Sequence, residues 1–216
     1  MSSLTPLRDG SEIEVRQVRA SDKDAIAAGF DRLSPESRYR RFFSPMNRLS
    51  AADLRYLTEV DHRDHEAIVG ISPSGDPVGV ARYVRTEAPT EAEVAVAIVD
   101  DWQGRGAATA LLERLIERAR ENGIERFVAV VLQENAEALE LFRNITPEHP
   151  TPRRTAAGQL ELVIDLPTEG VSGTMLGRAL RTAAAGRVII HPWRLLKRRL
   201  AEVADAVPRG DNRPDR

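Results

Sequence analysis

Apolar and charged residues alternate over residues 12–20, where Ile13, Val15 and Val18 sit among charged and polar neighbours. This period predicts a first strand. Three short helices are expected next. Ser21, with Asp24 in the first turn, opens one that runs to about Arg32. In "RLSPESRYRRFF", Ser34 caps a second and Pro35 takes its first position, with Tyr39, Phe42 and Phe43 as the apolar side. Ser50 and Asp53 begin a third over "SAADLRYLTEV". The runs "HEAIVGIS" and "PVGVARYVR", joined by "PSGD", read as a β-hairpin. A further strand covers Glu91 to Val99, and a helix runs from about Gly104 to Asn122, with Asn122-Gly123 as its stop. "RFVAVVL" is apolar enough to be buried on both faces, "NAEALELF" is a short helix with Asn135 near its start, and "QLELVIDLP" closes the body as a strand. The order predicts a mixed α/β sheet with one crossover in its second half.

Charge divides the chain in two. Residues 171–216 carry ten Arg or Lys against four Asp or Glu, so this end is +6 and the first 170 residues are −8, for a total of −2. The division expected is a body over 1–168, a basic helical extension over 169–207 and a disordered tail over 208–216. Within the extension, Trp193, Leu196, Leu200 and Val203 recur at helical spacing beside Arg194, Lys197 and Arg198. Packing on the chain's own body, or on a second subunit as a homodimer, is favoured over an anionic membrane or an acidic protein partner.

Composition removes several chemistries. Without cysteine there are no disulfides, no thiolate metal site and no cysteine nucleophile. No apolar run approaches the ~20 residues of a membrane helix, and "MSSLTPLRDG" has no secretory pattern, so a cytoplasmic protein is expected. The arginines do not cluster with aromatics, and no nucleic-acid partner is expected. His62 and His65, with Asp61 and Asp64, resemble a metal site in spacing, but no distant third ligand is evident, so they are read as turn residues and no metal is expected. A G-x-S-x-G elbow is missing, which removes serine hydrolysis.

The segment "VAVAIVDDWQGRGAATALL" carries the candidate chemistry. Small residues at Gln103–Ala108 occur where a strand turns into a helix, so backbone can approach a ligand closely. The first amides of the helix lack intrahelical partners, and together with the helix dipole and Arg105 they suit a phosphate. The pattern is Q-x-x-G-x-A; it is neither the dinucleotide G-x-G-x-x-G nor a P-loop, and a plain tight turn is the competing reading.

On these residues the chain resembles the GNAT superfamily of acetyl-CoA-dependent N-acetyltransferases, over about residues 12–166 and most specifically 91–142. The resemblance implies a GNAT-like mixed, mostly antiparallel sheet flanked by helices, followed here by the C-terminal helical extension. It implies that Gln103, Gly104, Arg105, Gly106, Ala107 and Ala108, with Thr109 next, hold the pyrophosphate of CoA. The backbone of Ala97, Ile98 and Val99 would bond the pantetheine arm, and Asn135 would touch the cofactor. In similar enzymes a glutamate at the position of Glu93 acts as general base, usually through water; Glu91, two residues back, lies on the same face as an understudy. A backbone N–H near Val99 is the expected oxyanion donor. Relatives often place a tyrosine on the helix after Asn135. Here Phe142 stands there, so the thiolate is expected to leave unaided, and "LFRNITPEHP" replaces the usual Leu-Gly-Phe, so a remodelled acceptor end is expected. "RLSPESRYRRFF" and "DHRDHEAIVG" are further similar to the catalytic domain of bacterial Pat-type protein lysine acetyltransferases. This implies acetyl-CoA as cosubstrate, no metal, and a protein lysine as the attacking acceptor amine. A small-molecule amine acceptor and a non-catalytic acyl-CoA-binding regulator are the alternatives.

Overall fold

Eight strands lie in one sheet in the order β1-β2-β3-β4-β5-β6-β8-β7. They are β1 (Leu4–Pro6), β2 (Glu12–Gln17), β3 (His65–Ile71), β4 (Pro77–Arg85), β5 (Glu91–Ile98), β6 (Arg126–Leu132), β7 (Arg153–Arg154) and β8 (Gln159–Asp165). The computed structural model describes residues 4–42, 47–132, 153–154 and 159–166. The expected helix with Asn135 and Phe142, and the basic extension with its tail, lie outside the described residues.

Every pairing is antiparallel except that of β5 with β6. That parallel step requires a crossover, supplied by α4 (Ala107–Glu121). The crossover helix presents Leu111, Leu112, Leu115, Ile116 and Ala119 to one face of the sheet, where they join Ile13, Ile68, Tyr83, Val94, Val96 and Ile98 in the main core. The opposite face is covered by α1 (Lys23–Asp31) and α3 (Ala51–Thr58), through Ile26 and Leu57 against Val69 and Ile71. Between them in sequence runs α2 (Pro35–Phe42). Helices therefore flank both faces of a mostly antiparallel sheet.

Local chemistry accounts for the helix starts. Ser50 and Asp53 form the reciprocal capping box expected of them. The Ser34 hydroxyl accepts the Ser37 amide at 3.1 Å. At α1 the cap moves by one residue: Ser21 lies in a 3-10 turn, Ala20–Asp22, and Asp22 precedes the helix. The Asp22 carboxylate is more useful there than a hydroxyl, because it accepts the Arg19 amide at 2.7 Å and both Arg16 guanidinium nitrogens at 2.8 and 2.9 Å. The crossover helix begins at Ala107 instead of near Gly104, since Gly104 and Gly106 have φ of +76° and +99° and cannot be helical.

The amino-terminal strand β1 is the element that periodicity misses. Three residues are too few to show a period, yet Leu4, Thr5 and Pro6 pair with Glu14, Ile13 and Glu12. The turn after β1 sends Leu7 into the main core and brings Arg8 against the Gly104–Ala107 loop.

Candidate active site

A fork in the sheet organises the site. Strand β5 pairs with β4 from Ala92 to Ile98, but with β6 only at Glu91, Ala92 and Glu93. Over the same length β6 stays with β8 from Arg126 to Leu132. From Val94 onward β5 and β6 have different partners and part company. Their facing backbone edges open a cleft instead of forming a ladder.

Glu93 is the last β5 residue paired across the fork, opposite Val128. Its carboxylate is buried, at 8% exposure. Burial of a carboxylate in such a place is costly unless polar groups answer it, which makes the position informative. Glu91 faces the same way but sits at the sheet's end, half-buried, 3.9 Å from Arg126 Nε and within 3.4 Å of the Thr86 hydroxyl. Of the two glutamates, only Glu93 lies inside the sheet.

Along the free edge, Ala97, Ile98 and Val99 are all buried. Ile98 packs in the core under α4, while Ala97 and Val99 face α1. Their side chains are committed to packing, so only backbone groups can meet a ligand. The Val99 N–H is itself spent on the Val78 carbonyl of the β4 side, at 3.0 Å. Successive residues of a strand point their amides to opposite edges, so Val94, Val96 and Ile98 turn theirs toward the fork. The expected oxyanion donor near Val99 therefore shifts off Val99 itself. The Ile98 carbonyl accepts from Gln103 Nε2 at 3.1 Å, which clamps the strand's exit to the following loop.

That loop ends the cleft. After a 3-10 turn, Asp100–Trp102, and Gln103, the two left-handed glycines Gly104 and Gly106 reverse the chain into α4. Gly106 is the N-cap residue and offers no side-chain cap. The first turn of α4 carries no acidic residue, whereas α1, α2 and α3 carry Asp24, Glu36 and Asp53 there. With no acidic side chain in that turn and no cap from Gly106, the helix start suits an anionic group. Ala107 and Thr109 are buried and Ala108 packs on the core, which leaves the backbone as the surface a phosphate would meet.

The amino terminus supports this loop in a way that motif reading overlooks. Arg8 N–H donates to the Arg105 carbonyl at 3.0 Å, and a Cβ on Gly106 would lie 3.3 Å from the Arg8 nitrogen. The Arg105 guanidinium stands 4.9 Å over the Trp102 ring, with Asp9 at 3.7 Å. The only hint in the sequence is Leu7 in "TPLRDG", a single apolar residue with no periodic company.

The His62/His65 segment is used as a turn. Asp61 Oδ1 accepts the amides of Arg63, Asp64 and His65 at 2.9, 2.8 and 2.9 Å. Burial raises the Asp61 carboxyl, but these three donors more than offset that and hold it below its ordinary range. His62 adopts φ +57°, and its Nδ1 lies 2.7 Å from Glu66. Among the described residues, no group of three or more His, Cys, Asp or Glu side chains is placed to hold a metal ion. No helix there is long and apolar enough to cross a membrane.

Comparison with known proteins bears on the family and the fold. The pattern of the acetyltransferase (GNAT) family matches residues 32–145. An acetyltransferase of Pseudomonas aeruginosa is 33% identical over 127 residues, 57% of this chain and 68% of the relative. The acetyltransferase Pat of Mycolicibacterium smegmatis is 38% identical over 138 residues, 61% of this chain; that stretch is 41% of the longer relative. Among solved structures, the GNAT domain of S. lividans PAT superposes with a TM-score of 0.67 at 35% identity, covering 76% of this chain and 97% of that domain.

Proposed function

The chain belongs to the acetyltransferase (GNAT) family, and on that premise we propose that it transfers acetyl from acetyl-CoA to a protein lysine side chain, with Glu93 as general base. The observation that carries this reading is the fork. A cleft begins at a buried carboxylate, runs along an unpaired strand edge and ends at an uncapped helix amino terminus. From Glu93 to Val99 the strand extends about 20 Å at some 3.3 Å per residue, a length along which a pantetheine arm can lie with its backbone-like amides on the strand. Pyrophosphate then reaches the Gln103–Thr109 loop, and the thioester lies beside Glu93. Asn135 completes the cofactor contacts in this reading.

The reaction needs the ammonium deprotonated, the tetrahedral oxyanion held and the thiolate released. Glu93, directly or through a water, accepts the amine proton. A fork-facing amide of β5 donates to the oxyanion, being fixed before reaction by the β4 ladder on its other side. CoA thiolate is a weaker base than an alkoxide and leaves without a protein acid, consistent with Phe142 at the position where relatives often have tyrosine. The lysine acceptor draws support from the likeness to the Pat proteins, and a cytoplasmic site of action fits the cysteine-free chain.

The test is Glu93→Gln assayed by thiol release with lysine-bearing acceptor proteins, alongside a panel of small amines. Turnover should fall about 100-fold or more while CoA affinity by calorimetry stays within twofold of the parent, roughly the scatter of such comparisons. Glu91→Gln should leave turnover largely intact. Undiminished turnover in the Glu93 variant removes it as base, and release with small amines alone moves the acceptor to that class.

A further inference from the structure

The turn between β1 and β2 is fixed by its own bonds before it reaches the glycine loop. Leu7 is buried in the main core; its N–H donates to the Ser11 carbonyl at 2.7 Å, and its carbonyl accepts the Gly10 amide at 3.1 Å. Arg8 follows, and its N–H donates across to the Arg105 carbonyl at 3.0 Å. The two backbones are in close contact there: a Cβ on Gly106 would stand 3.3 Å from the Arg8 nitrogen and 3.4 Å from the Arg8 Cβ. The Arg8 side chain therefore starts beside the N-cap residue of α4, at a helix start that suits an anion.

Two arginines meet at this place, and their charges are differently engaged. The Arg105 guanidinium lies 4.9 Å over the Trp102 ring, with the Asp9 carboxylate at 3.7 Å. Asp9 itself accepts the Ser11 amide at 3.0 Å and the Ser11 hydroxyl at 2.6 Å, so its oxygens are directed to Ser11 and Arg105. Arg8 is exposed, and among the described residues its guanidinium enters no ion pair and no hydrogen bond. The first turn of α4, residues 107–110, is Ala-Ala-Thr-Ala and adds no charge of its own. The uncommitted cation at the loop is thus Arg8, a residue outside the motif.

We propose that Arg8 binds a phosphate of CoA at the start of α4, its guanidinium supplying charged donors beside the neutral amides of the loop. This rests on the reading of that loop as the CoA phosphate site and is independent of which amine is the acceptor. A guanidinium fork matches two phosphate oxygens at once, and such bonds are stronger than those between neutral groups. Ordering a long side chain costs entropy on binding. Here the backbone that carries it is already held by Leu7 and by the bond to Arg105, so only the side chain remains to be ordered. The diphosphate and the 3′-phosphate of CoA offer the same chemistry to an arginine, and a ligand lacking one of them separates the two.

The full-length parent, Arg8→Gln and Arg8→Lys would be titrated calorimetrically with CoA and with 3′-dephospho-CoA at constant ionic strength. Arg8→Gln should bind CoA about tenfold more weakly, the worth of a charge-assisted hydrogen bond. Arg8→Lys, which keeps the cation, should recover part of that loss. An equal loss with 3′-dephospho-CoA assigns the contact to the diphosphate; a loss with CoA alone assigns it to the 3′-phosphate. Recovery by lysine separates ligand binding from support of the turn, because support acts through the Arg8 N–H, which all three proteins share. Binding of CoA by Arg8→Gln within about twofold of the parent, or equal losses in the glutamine and lysine variants, overturns the role of Arg8 and leaves the loop reading standing. A parent that does not bind CoA removes both.

Discussion

Gly104 and Gly106 share a left-handed backbone and differ in their surroundings. An added Cβ at Gly104 meets nothing within 4 Å, whereas at Gly106 it meets the Arg8 nitrogen at 3.3 Å and Arg8 Cβ at 3.4 Å. Gly104→Ala should therefore cost only the conformational strain, about 1 kcal/mol. Gly106→Ala should cost more, because the β1–β2 turn must also give way, and it should weaken CoA binding more than Gly104→Ala does. Chemical denaturation and calorimetry of the two variants check the order. Gln103 shows a structural role that its motif does not reveal. Its position predicts the phosphate loop, but its bond to the Ile98 carbonyl is visible only when both ends of the turn are in space.

At the scale of elements, one fully buried carboxylate ties β2, β3 and α4 together. Glu66 accepts from Gln17 Nε2 at 2.9 Å and Arg118 Nε at 3.0 Å, and stands 2.7 Å from His62 Nδ1. Removing it leaves a cavity and takes from partly exposed Arg118 one of its three acceptors, the others being Glu121 and the His62 carbonyl. Glu66→Ala should lower unfolding free energy by about 1–3 kcal/mol, and a cycle with Arg118→Met should show coupling between the two. The joint between β2 and α1 is a second such link. Burial raises the Asp22 carboxyl, yet the Arg16 hydrogen bonds and the Arg19 amide prevail and hold it below its ordinary 3.8. Because the folded state binds the proton less tightly, this link stabilises fully above pH 3.8 and is lost as pH falls through the lower folded value. Urea midpoints should thus separate Asp22→Asn from the parent at neutral pH, by about 1–3 kcal/mol. Below that range the two should converge.

At the scale of the whole molecule, the fork bears on stability. A sheet whose strands part in the middle leaves backbone groups that a ligand can satisfy. A cofactor bound along β5 and at the α4 terminus should stabilise the fold by about 2.7 kcal/mol at a hundredfold excess over its Kd. Differential scanning calorimetry should show this rise with CoA. It should be absent with Gly106→Val, whose branched side chain obstructs the loop; an equal rise in that variant would mean that the phosphate loop lies elsewhere.

Much of the architecture was legible from local physics. The hairpin over 65–85 follows from apolar runs around "PSGD", the α3 start from the Ser50/Asp53 pair, and the turn before α4 from glycines that no other residue replaces cheaply. These are effects of near neighbours, which a chain carries wherever it goes. What the tertiary structure alone decided is where β5 and β6 part, that Glu93 lies at that point, and that Arg82, a charged residue within a strand pattern, is buried beneath α1 and α3. It alone also brings Arg8 to Gly106, nearly a hundred residues away in the chain. Partner choice among strands and the depth of a side chain are sums over distant contacts, and no window of sequence contains both sides of such a contact.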